Sequence, residues 1–424
     1  MIRIRHISRH FHENKDSKSR LTRLIGKTSK AMRSGRTYFR TCDPEVSKAV
    51  LSKQFEKFGL QPLRYEGGKG FFGNGILVTD GLQWKHSRSL VRPAFDVAHV
   101  ANFDRLRRHV ERFIELLPRD QSTVDLYPLL KRLTLDISSE FIFGRSMNAL
   151  SSPEACKGFM DAFMFAQRDV ITPVAKRPKE YGEWCKTVLD YIDTCIDEAE
   201  SRVQKPPQHT TQIRIVDELV KTIQDKHTLR SLIISIFCPA HDTVAVTLTN
   251  AFFHLARHPP CWAKLRAEIL LTASQPLTYE LLNSYKYLNW VLRETTVREC
   301  PCTTVLPTGG GPDGLAPFLI EKGDLIETNF RAQQRDASFW GADAEAFDPE
   351  RWATTRPTWE YTPFSGGPRI CPAFRLVYTE SKYIMATMLR RFSGIENRDD
   401  VLEWVEEQRL IWQSRNGAKV ALIL

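Results

Sequence analysis

The sequence contains no apolar run of the roughly 20 residues that a bilayer-spanning helix requires. The nearest approach, "SLIISIFCPAHDTVAVTL" (231–248), is broken by Pro239, His241 and Asp242. No charged-then-apolar secretory leader opens the chain. There is no internal repeat, and no linker rich in Gly, Pro or Ser that would divide it into domains. The "GGG" run at 309–311 lacks the strand–GxGxxG–helix context of a dinucleotide site, so no flavin or nicotinamide domain is expected. Paired cysteines are also missing. The nine cysteines are an odd number and mostly scattered, a pattern of reduced, buried thiols rather than a disulfide framework. Cys300 and Cys302 ("ECPCT") stand too close together for zinc-ligand spacing, and no His/Cys pair lies near them.

What is present is an ordinary globular composition over 424 residues, 42% hydrophobic and 26% charged. That length suffices for a large core. The net charge of +10 is local: residues 1–40 hold 12 Lys/Arg against Glu13 and Asp16, and the rest of the chain is balanced. Such a segment reads either as a solvated, flexible leader (1–35) or as a contact for an anionic membrane surface, where each basic residue contributes about 1 kcal/mol. Aromatics do not interleave with these charges, so nucleic acid is not expected as a partner. An Arg-rich start lacking acids over residues 1–12 leaves a mitochondrial address as the second choice.

Helical periodicity dominates. The spacing predicts helices over 44–58, 103–117, 126–144, 179–203 and 228–257, with another following "RHPP". Strands are expected at 36–41, in a hairpin over 317–328, and over 410–424. Loops cluster at 307–315 and 331–363. This predicts a mainly α, single-domain protein (36–424) with a minor β-sheet.

One stretch, "PFSGGPRICPAFRL" (363–376), sets a lone cysteine, Cys371, at the mouth of an apolar helical pattern. A thiolate serves as nucleophile, redox partner or metal ligand. No histidine base and no second thiol lie near it in sequence, though a base could come from afar. A single protein ligand suits haem, whose porphyrin supplies four nitrogens. Turn N–H groups and the dipole of the following helix would stabilise an anionic sulfur. Arg369 would reach a propionate, and Phe364 would shield the thiolate side of the ring.

The spacing Phe364, Gly367, Arg369, Cys371 resembles the haem-ligand loop (363–375) of the cytochrome P450 family, the haem-thiolate monooxygenases. Ala373 stands where the family usually has glycine. Three more motifs follow in the family's order. "WKHSR" places Trp84 and Arg88 four apart, which by the resemblance hold haem propionates; alone the pair is an ordinary cation near an aromatic. "PAHDTVAV" (239–246) carries Asp242 and Thr243, which the resemblance casts as a proton relay above the haem; alone the threonine is a residue bonded back to its own turn. Pro239 and Ala240 replace the usual small pair. "FDPERW" (347–352) matches the family's meander, with Arg351 expected to lock onto a preceding helix.

The departure is in "VLRETTVRECPCTTVLPTGGGPDG". The family sets an Arg three residues after the Glu that pairs with Arg351, but here Glu294 is followed by Val297, with Arg298 one residue later. Either Arg298 takes the role at i+4 or a segment carrying the Arg is missing, and the latter is preferred. A Glu294–Arg351 pair left incomplete would lose about 3–5 kcal/mol.

The closest resemblance is to fungal microsomal alkane and fatty-acid hydroxylases, through "GILVTDGLQWKHSRSLVRPAF", "LPTGGGPDG" and "FSGGPRICPA". It implies haem b (iron protoporphyrin IX), dioxygen, electrons from an NADPH-cytochrome P450 reductase, and a small apolar, aliphatic or lipid-like substrate. Lipid or secondary-metabolite oxidation is the implied role, at the endoplasmic reticulum membrane surface. Since this chain shows no spanning helix, a cytoplasmic or peripheral location is also open. "GKGFFGNGI" (68–76), Ile233, Ile236 and Phe237 are candidates to line the pocket, although most apolar residues of this kind are simply core. Relative to those enzymes an anchor, the Arg segment and part of the region 169–181 look absent. The alternative expectation is therefore a non-enzymatic remnant that binds haem weakly or not at all. A haem enzyme using peroxide or rearranging an oxygenated lipid is a lesser one, against which the Asp242–Thr243 pair stands.

Overall fold

The apolar-rich pattern around 228–257 folds as one helix, Lys226–Arg257, and the larger part of the protein packs around it. The computed structural model describes residues 27–33, 36–96, 100–170, 172–204, 214–299, 324–408 and 412–424. They fall into two compact units, one built from segments within 1–59, 300–346 and 355–371, the other from 60–299, 347–354 and 372–424.

In the smaller unit, Arg36–Thr41 forms the expected strand. It pairs antiparallel with Thr28–Arg33, which the sequence placed in a flexible leader, and in parallel with Leu325–Thr328. Residues 300–323 of the expected hairpin and loop lie outside the described residues. Phe39, Val46, Val50 and Ile326 form this unit's small core. The helix expected over 44–58 breaks up. Pro44 starts an α-helix capped by Asp43, whose carboxylate accepts the Glu45 N–H at 2.9 Å. The chain then loosens into a π-turn (Ala49–Lys53) and a 3-10 turn (Phe55–Lys57). Within the expected loop region, Asn329 and Asp336 cap two single-turn helices, Phe330–Gln333 and Ala337–Trp340. Polar caps rather than apolar periodicity define these, so the pattern alone does not reveal them.

The helices of the larger unit are numbered in chain order. They are α1 (Gln61–Phe72), α2 (Gly81–Val91), α3 (Phe103–Glu115), α4 (Leu126–Phe143), α5 (Pro153–Asp169), α6 (Tyr181–Val203), α7 (Ile215–Thr222), α8 (Lys226–Arg257), α9 (Pro259–Leu270), α10 (Tyr279–Ser284), α11 (Lys286–Glu299) and α12 (Phe374–Arg391). A small antiparallel sheet joins Val124–Asp125, Lys419–Ile423 and Gly394–Asn397. The single strand expected over 410–424 is two: Trp412–Ser414 pairs with Glu406–Gln408, and Lys419–Ile423 lies in the sheet just named. Among the described residues, α8 alone has the length and apolarity to cross a membrane, but 78% of its most apolar stretch is buried in protein, as befits a core helix.

The core around α8 is rich in aromatics. Phe163 and Phe159 of α5 pack on Phe237, with ring centres 5.4 and 6.3 Å away, and Phe143 meets Phe237 edge-on at 5.1 Å. Ile233 and Phe237, expected near a pocket, are fully buried in this core. So are Phe71 and Phe72 of the "GKGFFGNGI" stretch. Two glycines there allow close approach to α8. A Cβ on Gly75 would lie 2.0 Å from the Ser235 hydroxyl, and one on Gly73 (φ +52°) 2.1 Å from that of Ser231.

The seam between α3 and α12 buries two ionisable side chains. Phe103 stacks on Tyr383 at 5.1 Å, and beside them Arg105 and Glu380 are both buried. Arg105 lies over the Phe141 ring at 4.3 Å. Burial pushes the Glu380 carboxyl up to about 7, only partly opposed by Arg105. A carboxyl raised above its unfolded value binds its proton more tightly when folded, so the contribution of Glu380 to stability is fullest in acid and is lost as pH rises from about 4.5 to about 7. The loss is on the order of 3 kcal/mol. Glu380→Gln should remove this slope, which urea unfolding at a series of pH values will show.

Candidate active site

Of the residues singled out by sequence, Phe364, Arg369 and Cys371 belong to the smaller unit. Trp84, Arg88, Asp242, Thr243, Glu294 and Arg351 belong to the larger.

The cysteine loop is built by backbone geometry. Ser365 and Gly367 both have positive φ, +63°. A Cβ on Gly367 would fall 1.7 Å from the Leu51 carbonyl oxygen, so only glycine fits there. A Cβ on Gly366 would lie 2.5 Å from the Trp359 ring. The loop closes where the Cys371 N–H donates to the Phe364 carbonyl at 3.0 Å. Arg369 ends the 3-10 turn Gly367–Arg369, with its guanidinium 5.8 Å from the Phe55 ring centre. Phe364, Arg369 and Cys371 are all half-buried.

On α2, Trp84 and Arg88 share a face one turn apart; Trp84 is buried and Arg88 half-buried. On α8, a helix otherwise buried through its middle, Pro239, Ala240, Thr243 and Thr247 keep partial exposure. At 100° per residue these four form one stripe. Thr243 is on it, and its hydroxyl donates to the Pro239 carbonyl at 3.0 Å, the bond back to its own turn that threonine favours.

Asp242 is turned about 100° from Thr243 and leaves the stripe. It is 5% exposed, and its Oδ1 is ion-paired with Lys131 of α4. Gln167 of α5 donates to its Oδ2 at 3.0 Å. Burial pushes the Asp242 carboxyl up, but Lys131 and the bond from Gln167 outweigh burial, and the net shift is downward. The neighbouring His241 is held neutral, pushed down to about 3 by burial and then by Lys131. Nothing in the sequence distinguishes Lys131 or Gln167 from any polar residue on an amphipathic helix; only packing reveals them.

Glu294 and Arg351 do meet. Arg351 Nε is 3.3 Å from Glu294 Oε1, an ion pair without the alignment of a hydrogen bond. The Trp352 indole N–H donates to Oε2 at 3.0 Å, and the Asp348 backbone N–H donates to Oε1 at 3.2 Å. The glutamate thus anchors the turn Pro349–Ala353 through two hydrogen bonds and an ion pair. The side chain of Arg298 lies outside the described residues. Trp352 was missed by the sequence reading, although the final letter of "FDPERW" was the available signal.

The cytochrome P450 family model matches residues 5–420. Among curated proteins, cytochrome P450 monooxygenase iccC of Talaromyces variabilis is 35% identical over 426 aligned positions, covering 92% of this chain and 82% of the relative. Cytochrome P450 monooxygenase fumoA of Cordyceps fumosorosea is 33% identical, covering 91% and 81%. Cytochrome P450 monooxygenase iliC of Hypocrea jecorina is 34% identical, covering 90% of each chain. The chain belongs to the cytochrome P450 family. It is a monooxygenase by class, and the P450 fold, haem-iron cofactor, dioxygen and redox partner follow from that membership. The relatives are fungal monooxygenases.

The glutamate cluster is open to a direct test. Trp352→Phe keeps the ring and removes one bond to a buried carboxylate, with an expected loss of about 1.5–3 kcal/mol. Glu294→Ala removes the buried carboxylate that these groups face and should cost about 3–5 kcal/mol. Denaturant midpoints for the two variants, in that order of severity, are the check.

Proposed function

We propose that this P450 binds haem b with Cys371 as axial thiolate and oxidises an apolar, aliphatic or lipid-like small molecule. The observation that carries the reading is the Cys371 loop, a tight glycine turn that closes through the Cys371 backbone N–H on the Phe364 carbonyl and presents a half-buried thiol. The residues fit a haem. The loop offers one sulfur, a neighbouring guanidinium and an aromatic ring. Trp84 and Arg88 offer an indole N–H and a second guanidinium, and the open stripe of α8 offers only small or hydroxylated side chains.

When bound, haem iron supplies the oxygen-activating chemistry, with thiolate electron donation favouring O–O cleavage. The chain's own residues do the rest. Arg369, Trp84 and Arg88 would bind the propionates, and Phe364 would keep water from the sulfur. Thr243 holds a hydroxyl proton on the stripe, lent to the Pro239 carbonyl, and would pass it to the reacting face. Asp242, ionised in its ion pair, would first leave Lys131 and take a proton from water, and would then return that proton to the Thr243 hydroxyl. Electrons would come from an NADPH-cytochrome P450 reductase, and the substrate would be a lipid or secondary-metabolite precursor. The basic segment 1–40 supports a place at the endoplasmic reticulum membrane surface, in peripheral contact with anionic lipid.

Cys371→Ser should abolish stable haem uptake while leaving the apoprotein folded by far-ultraviolet circular dichroism; retained haem with an unchanged spectrum would overturn the ligand assignment. Thr243→Ala should lower product per NADPH by about 100-fold, the low end of a positioned proton donor's contribution. Product and peroxide measured together are the check.

A further inference from the structure

Three helices meet around Arg105: α3 carries it, α4 carries Phe141 and α12 carries Glu380. Arg105 is 4% exposed and Glu380 3%. The Phe141 ring covers the guanidinium at 4.3 Å. The guanidinium Nε and Nη2 are buried, and neither has a hydrogen-bond partner. These two nitrogens share one edge of the group, where their N–H bonds run parallel and form the fork that holds an anion bidentately. Among the described residues, neither Arg105 nor Glu380 has an ion pair.

The other acids nearby are engaged elsewhere. Glu140 of α4 acts on Arg105 through its field, but its oxygens hold Arg108 at 2.5 Å and His109 at 2.6 Å. Asp136, also on α4, accepts the Ala149 and Leu150 N–H groups. On α3, Arg107 and Glu111 act on Tyr383. On α12, Lys382 donates to Asn283 of α10, and Arg390 to the Thr272 and Gln275 carbonyls. Behind α12, Asp242 of α8 is paired with Lys131, Glu268 of α9 accepts the Tyr287 and Leu288 N–H groups, and Glu294 of α11 faces the turn Pro349–Ala353. Arg105 is the charge that acts on Glu380.

Glu380 keeps its proton up to about pH 7, whereas a guanidinium stays charged. Below that pH the Arg105 charge is buried with no counter-charge in contact, a costly state. A water molecule would satisfy the two N–H groups and leave the charge. A small anion answers both needs.

We propose that the Arg105 fork binds one small monovalent anion, of the chloride type, in the seam between α3, α4 and α12, and that ionised Glu380 takes its place. The two negative charges exclude each other because they would share one low-dielectric seam. Anion binding is therefore complete in acid and is lost as pH rises through about 7, where Glu380 gives up its proton.

The test uses the haem-loaded protein at constant ionic strength, with chloride set against gluconate, which is too large for the seam. Full replacement of gluconate by chloride at about pH 5.5 should raise the thermal unfolding midpoint by about 1–2 °C, the shift expected of a ligand at about ten times its Kd. At about pH 9 the shift should vanish. Glu380→Gln, neutral throughout, should keep it at both pH values, and Arg105→Met should lose it at both. No shift in the natural protein in acid, or one that survives Arg105→Met, would overturn the site. A shift of equal size in alkali would overturn the exchange with Glu380. Should Arg105→Met fail to fold, crystals of the natural protein soaked in bromide at about pH 5.5 decide. An anomalous peak against Arg105 Nε and Nη2 is the expected result; density there without anomalous signal is water and overturns the anion.

Discussion

An ionised carboxylate inside a helix core needs a partner, and Asp242 has one in Lys131. Removing either member would leave an uncompensated buried charge, at a cost of about 3–5 kcal/mol. The pair therefore fixes how α8 sits on α4, and Gln167 fixes α5 against both. With those faces closed by charge and by the aromatic packing of Phe143, Phe159, Phe163 and Phe237, the half-open stripe through Pro239, Ala240, Thr243 and Thr247 stands out on α8. The orientation of the stripe is thus a consequence of where the ion pair lies. Thr243 and Asp242, adjacent in sequence, end with different surroundings because a helix turns 100° between them.

A second carboxylate does comparable work on α11. Glu294 collects a backbone N–H, an indole N–H and a guanidinium from one short turn. The sequence departs from the family's spacing after Glu294, which raised the expectation of an incomplete pair. The buried carboxylate is nonetheless surrounded by donors, and Trp352 supplies a bond that the motif's usual description as an ionic cluster does not bring to mind. The family match and the coverage of curated relatives agree with a haem monooxygenase.

Much of this was legible in the residues. The long α8, α4 and α6 follow from three-and-four apolar spacing, because a helix that buries a face must repeat that way. The glycines and proline before Cys371 announce a turn that other residues cannot make, and the loop has that form. The short capped helices at 330–340, the π-turn at 49–53 and the strand at 28–33 were not legible, since each is decided by caps or strand partners rather than by its own pattern. Whether Ile233 and Phe237 line a pocket or only fill the core was not legible either, because apolarity does not say which way a side chain on a largely buried helix points; both lie in the aromatic core. Lys131 and Gln167 were invisible for a related reason: a polar residue on an amphipathic helix is assumed solvated until another helix is laid against it.

The central claim is that Cys371 delivers an anionic sulfur to haem iron. The carbon monoxide difference spectrum of the reduced, haem-loaded protein tests it most directly. A strongly red-shifted Soret band is the predicted result and marks a thiolate ligand. A band at the position of a nitrogen or neutral-thiol ligand, or a protein that takes up no haem, would contradict it.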